Sequence, residues 1–288
     1  MSAVADLDLI ADVARRARLL VIETVAHAGA GHVGGPLSAA DLLAALYFDV
    51  LDVRPDEPRW PDRDRFILSK GHSSLGLYSV LALRGFFEVK ELKTFDRLDS
   101  RLQGHPDMSR LDALDMSTGA LGQGLSPGIG MALAARLQGR EYHTFVMLGD
   151  GELQEGQVWE AAFIAARYRL GNLTAIVDWN GLQQYGWRAE KGRRPPFDEI
   201  NPARVFEAFG WASAEIDGHE LAQIVPALRA AKEPRERPLA IVARTIKGKG
   251  VSFMENEFTW HSRVPTAAEL EQARAELAAA PAGTGGSA

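Results

Sequence analysis

Four short apolar runs with high strand propensity, each separated from the next by a helical or loop pattern, constrain this chain more than any other feature. They are 144–148 (TFVML), 173–177 (LTAIV), 212–216 (ASAEI) and 239–243 (LAIVA). Helical patterns occupy 157–170, 201–209 and 219–232 between them. Strands with one wet face alternate apolar and polar residues. These runs are mostly continuous, so both faces of their sheet must be covered. The expected fold is α/β: a doubly wound, mainly parallel sheet flanked by helices on both faces. The short run 65–68 adds a further candidate strand. Ligands in such folds bind beyond the carboxyl ends of the strands, where the strand order switches.

Upstream, Ile10, Val13, Ala14, Ala17, Leu20, Val21 and Val25 recur at helical spacing, which predicts an amphipathic helix over 7–27 that stops at Gly29-Ala30-Gly31. Two more helical patterns cover 38–51, with Ser38 as expected N-cap, and 72–86. Residues 100–128 are rich in Gly, Pro, Asp and Ser and read as loop. A last helix is expected over 266–278, followed by an Ala/Gly/Pro/Ser-rich tail, 279–288, expected to be disordered. No linker interrupts the body, so residues 1–278 are expected to form one domain.

The absence of cysteine excludes disulfides, thiolate metal sites and a cysteine nucleophile. A net charge of −6 offers no basic field for nucleic acid, and positive charge for a phosphorylated ligand must be placed locally. The first residues, MSAVADLDLIADVARR, lack the apolar stretch of a signal peptide, and no uncharged run reaches membrane-spanning length. A cytoplasmic protein without membrane or nucleic-acid partners is expected.

The most specific motif lies at a strand end. The 144–148 run leads into Gly149-Asp150-Gly151-Glu152, and twenty-eight residues after Gly151 the next strand ends in Asn180-Gly181. Successive parallel strands thus deliver Asp150 and Asn180 to one edge, and the flanking glycines let backbone approach a bulky anion. One carboxylate, one amide oxygen and a backbone carbonyl suit a hard divalent cation that takes its remaining ligands from a diphosphate and water. Four of the seven histidines, His32, His72, His105 and His261, stand beside glycine or tryptophan in loop-like segments. Near neutral pH an imidazole can donate to a sugar oxygen or move a proton. His27, His143 and His219 are read as ordinary solvent-facing histidines, with His219 capping the helix that follows it.

The GDG-x28-NG pattern is the signature of thiamine diphosphate enzymes, and the flanking segments resemble transketolase in particular. Matching stretches include GHVGGPLSAADLLAALYF (31–48), DRDRFILSKGHSSLGLYSVLALRGFF (62–87), LQGHPD (102–107), STGALGQGLSPGIGMALAARL (117–137), GDGELQEGQVWEAA (149–162), VDWNGLQ (177–183), IDGHE (216–220) and RTIKGKGVSFMENEFTWH (244–261). They span nearly the whole chain in the family's order and are most similar to N-terminal subunits of split transketolases.

The resemblance implies the thiamine diphosphate-binding fold and a set of roles. Asp150, Asn180 and the Leu182 carbonyl would hold magnesium (or calcium or manganese). Gly151 and Asn180 would touch the diphosphate, and His72 and His261 the cofactor. Gly119-Ala120-Leu121 matches a Gly-Pro-Leu segment beside the aminopyrimidine ring. His32, His105 and His261 would surround the reactive carbon and the donor hydroxyls. Glu155 matches an acidic residue linking two active sites across a dimer. Ala120 and Val33 replace residues that are often proline in the family. A second polypeptide with the pyrimidine-binding domain and its catalytic glutamate would be required, giving an α2β2 assembly acting on sugar phosphates. Alternatives are another thiamine diphosphate-dependent transferase subunit, passing a ketol or acyl unit to a carrier, and a non-catalytic regulatory subunit of the same fold. A dinucleotide-binding reading of 119–130 fails, because its glycines do not fit G-x-G-x-x-G after a strand.

Overall fold

The computed structural model describes residues 5–184 and 200–279. Five parallel strands form one sheet in the order β1-β2-β3-β5-β4. They are β1 (Arg65–Leu68), β2 (Thr144–Gly149), β3 (Leu173–Trp179), β4 (Ala212–Asp217) and β5 (Leu239–Arg244). Side chains alternate faces along a strand, and the core divides accordingly. Phe145, Met147, Ile176 and Ile241 face one apolar cluster, whereas Val146, Leu148, Val177 and Val242 face the other.

The first cluster is covered by α1 (Leu7–Ala28), α2 (Gly34–Ala45), α3 (Ser74–Arg84), α7 (Leu221–Ala231) and α8 (Ala267–Ala279). The second is covered by α4 (Leu125–Leu137), α5 (Gly156–Arg167) and α6 (Pro202–Ala208). Both faces are therefore closed, as continuous apolar strands require. No helix among the described residues is long and apolar enough to cross a membrane.

Several boundaries differ from the sequence expectation. Helix α2 starts at Gly34 and gives way to a π-turn over Leu46–Val50, and Ser38 lies buried inside it. The Ser38 hydroxyl serves tertiary structure instead of a cap, donating to Asp178 Oδ2 at 2.6 Å. Residues 125–128 begin α4 rather than continuing the loop. Glycine and proline within Leu125–Leu137 hid that helix, and tertiary packing forms it against β2 and α5. Glu220, not His219, caps α7, its carboxylate accepting from Ala222 N. The expected disordered tail lies outside the described residues apart from Ala279, which ends α8.

Candidate active site

The carboxyl ends of β2 and β3 are paired in register, with Gly149 opposite Asp178. The residues just beyond them, Asp150 and Asn180, therefore emerge on one edge. Both line a cavity of ≈ 380 Å³ together with Gly151, Leu182 and Lys247. Asp150 uses Oδ1 to accept the Gly151 N–H at 2.8 Å, while its Oδ2 is buried with no hydrogen-bond partner among the described residues. Burial and the neighbouring Asp178 charge push the Asp150 carboxyl up to about 6. Asn180 Oδ1 accepts the Leu182 N–H at 3.1 Å across Gly181, whose φ of 74° shapes the turn. The Leu182 carbonyl accepts from the Lys247 ammonium at 3.2 Å. An orphaned carboxylate oxygen and a carbonyl already facing a cation are what a divalent ion and an anion would satisfy.

Four histidines close the other side of the same cavity. Ring centroids of His32 and His72 lie 5.2 Å apart, those of His32 and His261 5.1 Å, and those of His72 and His261 5.1 Å. His105 lies 6.1 Å from His32. They come from separate places: the loop before α2, the 3-10 turn Gly71–Ser73 after β1, the loop before α4, and the 3-10 turn Phe258–His261. Burial, with the charges of His105 and Lys247, lowers His32 to about 4. Burial and the charges of Lys247 and His32 lower His261 to about 3. His72 is lowered further by burial and the Lys70 charge. These three rings are neutral at physiological pH, each with one nitrogen to donate and one to accept. His261 Nδ1 lies 3.0 Å from Lys247 Nζ, which can only donate, so Nδ1 is the acceptor. His32 and His105 also border a wider cavity of ≈ 600 Å³, lined by Asp96, Gln103 and Asp107.

Of the remaining expected site residues, Gly119 and Leu121 line the cavity, but exposed Ala120 does not. Glu155 also stays outside it, exposed at the start of α5. The buried acid that lines it is Glu152. Glu152 accepts from Gly122 N at 2.8 Å and Gly149 N at 3.0 Å, and from the Ser69 hydroxyl. It thereby braces the 119–124 loop against the strand ends. Gly71 permits this approach: a Cβ there would meet Thr118 Oγ1 at 2.7 Å and the Gly119 nitrogen at 2.8 Å.

Sequence reasoning missed Lys70, Asp178, Glu152 and Lys247. Lys70 and Lys247 carried a usable signal, each a lysine directly before a glycine and just beyond a strand. His143 and His219, expected to face solvent, are largely buried. His143 lies 2.8 Å from Thr174 Oγ1, and His219 contacts Asp41. His27 is exposed, as expected.

Residues 10–284 match the family described as the thiamine diphosphate binding domain of transketolase. This chain belongs to the transketolase family. It is 43% identical to the 6-deoxy-6-sulfo-D-fructose transketolase subunit SqwG of Clostridium sp. (strain MSTE9), over 90% of this chain and 93% of that one. It is 41% identical to an apulose-4-phosphate transketolase subunit of Phocaeicola vulgatus, over 90% of both. Human transketolase is 38% identical over 89% of this chain, which spans only 40% of the human protein. The crystal structure of Campylobacter jejuni transketolase superposes with a TM-score of 0.84 at 32% identity, over 94% of this chain and 42% of that one. The chain thus spans about nine tenths of these subunit-type relatives and about two fifths of the single-chain transketolases. It is an N-terminal, thiamine diphosphate-binding transketolase subunit.

Proposed function

We propose that this chain is the diphosphate- and metal-holding half of a split transketolase that moves a two-carbon ketol unit from a ketose phosphate to an aldose. The observation that carries this reading is the cavity where four histidines face Asp150, Asn180 and Lys247. A diphosphate with its metal ion suits one wall and a polyhydroxylated sugar the other. In this reading Asp150, Asn180 and the Leu182 carbonyl hold Mg²⁺ (or Ca²⁺ or Mn²⁺), and Gly151 and Asn180 contact the diphosphate.

Lys247, 2% exposed, places positive charge locally at the cavity wall, as an acidic chain must for an anionic ligand. Its ammonium, which donates to the Leu182 carbonyl at 3.2 Å, would also neutralise part of the diphosphate charge. Bound thiamine diphosphate supplies the electron sink for carbon–carbon cleavage. His72, Gly119 and Leu121 border the cofactor, while Ala120 stands exposed between them. His32, His105 and His261 orient donor hydroxyls and move protons to and from the sugar oxygens, since an imidazole can both donate and accept. Glu155, exposed at the α5 N-terminus, is read as a contact between two such sites in an assembled enzyme.

We further propose that residues 1–278 act as one domain, completed by a C-terminal subunit carrying the pyrimidine-binding domain and its glutamate. The assembly would be α2β2, working in cytoplasmic carbohydrate metabolism. The two subunit-type relatives are named for a sulfonated and a phosphorylated sugar, which supports a donor with a terminal anion gripped by the partner. The reconstituted pair should turn over a ketose phosphate with an aldose acceptor and leave 2-oxo acids untouched. Release of CO₂ from a 2-oxo acid without ketol transfer would overturn the reading.

A further inference from the structure

One largely buried imidazole, His219, lies outside both cavities, yet it is tied to the segment that carries Lys247. Its Nε2 accepts the backbone N–H of Ile246 at 2.8 Å. A backbone N–H can only donate, so the proton of the neutral ring sits on Nδ1. From there it is donated to Asp41 Oδ2 at 2.7 Å. Asp41 is itself fixed by Arg18 of α1, whose Nη1 and Nη2 reach its two oxygens at 3.1 and 2.5 Å. The His219 backbone is held too, its N–H donating to Asp217 Oδ1 at 2.8 Å.

The chain leaving β5 is pinned at three further points. Thr245 N donates to the Trp179 carbonyl at 3.1 Å, the Thr245 hydroxyl donates to Asp178, and Gly248 N donates to the Gly34 carbonyl at 3.1 Å. His219 supplies the bond at Ile246, between these anchors and directly before Lys247. The Lys247 side chain runs from this pinned backbone to the Leu182 carbonyl and His261 Nδ1.

We propose that His219 is a positioning residue for cofactor binding: the relay Arg18–Asp41–His219 fixes Ile246 and thereby aims the Lys247 ammonium into the cavity. This inference rests on reading that cavity as the diphosphate site. An imidazole suits the task because one ring spans two partners on opposite sides, a carboxylate and a backbone amide, at fixed separation.

The test measures thiamine diphosphate affinity, in the presence of Mg²⁺, for the full chain assembled with its partner subunit. In His219→Asn the short amide can still donate to Asp41 but cannot reach Ile246, so affinity should fall by roughly 5–10-fold, the worth of one hydrogen bond. His219→Gln, whose amide oxygen reaches the Nε2 position, should recover most of that loss. Lys247→Met should weaken binding by about 10-fold or more, as a lost charge-assisted contact does. The double variant His219→Asn with Lys247→Met should bind no worse than Lys247→Met alone, because His219 acts through Lys247. Losses that multiply in the double variant would mark His219 as a merely structural residue and overturn the inference. Unchanged affinity in His219→Asn would overturn it equally. Failure of the wild-type pair to bind thiamine diphosphate would instead overturn the functional reading itself.

Discussion

Two aspartates stand on neighbouring strand ends, and their surroundings are opposite. Asp178, at the end of β3, is completely buried, and both its oxygens are used. It accepts from Ser38 at 2.6 Å, from the Thr245 hydroxyl and from the buried Lys70 ammonium. Burial pushes its carboxyl up, but the Lys70 charge and these hydrogen bonds bring it below the ordinary carboxylate range. Asp150, just past β2, keeps one oxygen unpartnered and is pushed up to about 6. The same residue type is a finished structural anchor in one place and an unfinished site in the other. A folded protein tolerates a buried polar atom without a partner where something else is meant to satisfy it.

Breaking the first half of this comparison should have the largest effect. Asp178→Asn leaves the Lys70 ammonium buried without a counter-charge, and urea unfolding should show a loss of about 3–5 kcal/mol. Asp150→Asn should do the reverse in the cofactor-free protein. It removes an unsatisfied charge and should raise stability at pH 8 by on the order of 1–3 kcal/mol. The same change should abolish transfer activity in the assembled enzyme and weaken Mg²⁺-dependent cofactor binding by at least about 100-fold. Unaltered activity would show that the metal lies elsewhere.

The pH dependence sharpens the contrast. The folded-state value of Asp150 lies above its ordinary one, so the stability it contributes is present at low pH and is lost as pH rises through about 6. A metal must displace that proton, so calorimetry should show cofactor–Mg²⁺ affinity falling as pH drops below 6. Asp178 has the opposite sign: its contribution is present above the ordinary carboxylate value and is lost as the pH falls below it. Val33→Pro should give the smallest effect. The Val33 N–H donates to the His261 carbonyl at 3.3 Å, and its φ of −115° is far from the value a proline ring imposes. A loss of about 1 kcal/mol on thermal unfolding is expected. That bond joins two histidine-bearing loops.

Much of this was legible in the linear chain. The five strands and most helices follow from apolar runs and periodicity, and the strand-end positions of Asp150 and Asn180 follow from where those runs stop. Helix α4 escaped because glycine and proline in 125–128 imitate a loop, and only packing against β2 and α5 decides otherwise. Ser38 resembled a cap because a serine before an apolar helical run usually is one. Its hydroxyl was claimed instead by an aspartate 140 positions away.

By itself the sequence determined the covered parallel sheet, the pairing of Asp150 with Asn180, and the family. Those depend on local hydrophobic pattern and on residues whose spacing is set by one strand–helix–strand unit. The ring-to-ring packing of the four histidines, the Glu152 brace at the cavity wall, and the links Lys70–Asp178 and Asp41–His219–Ile246 were decided by tertiary structure alone. Each joins segments that only the folding of the sheet brings together, and the burial that makes those polar contacts matter has no counterpart in an extended chain.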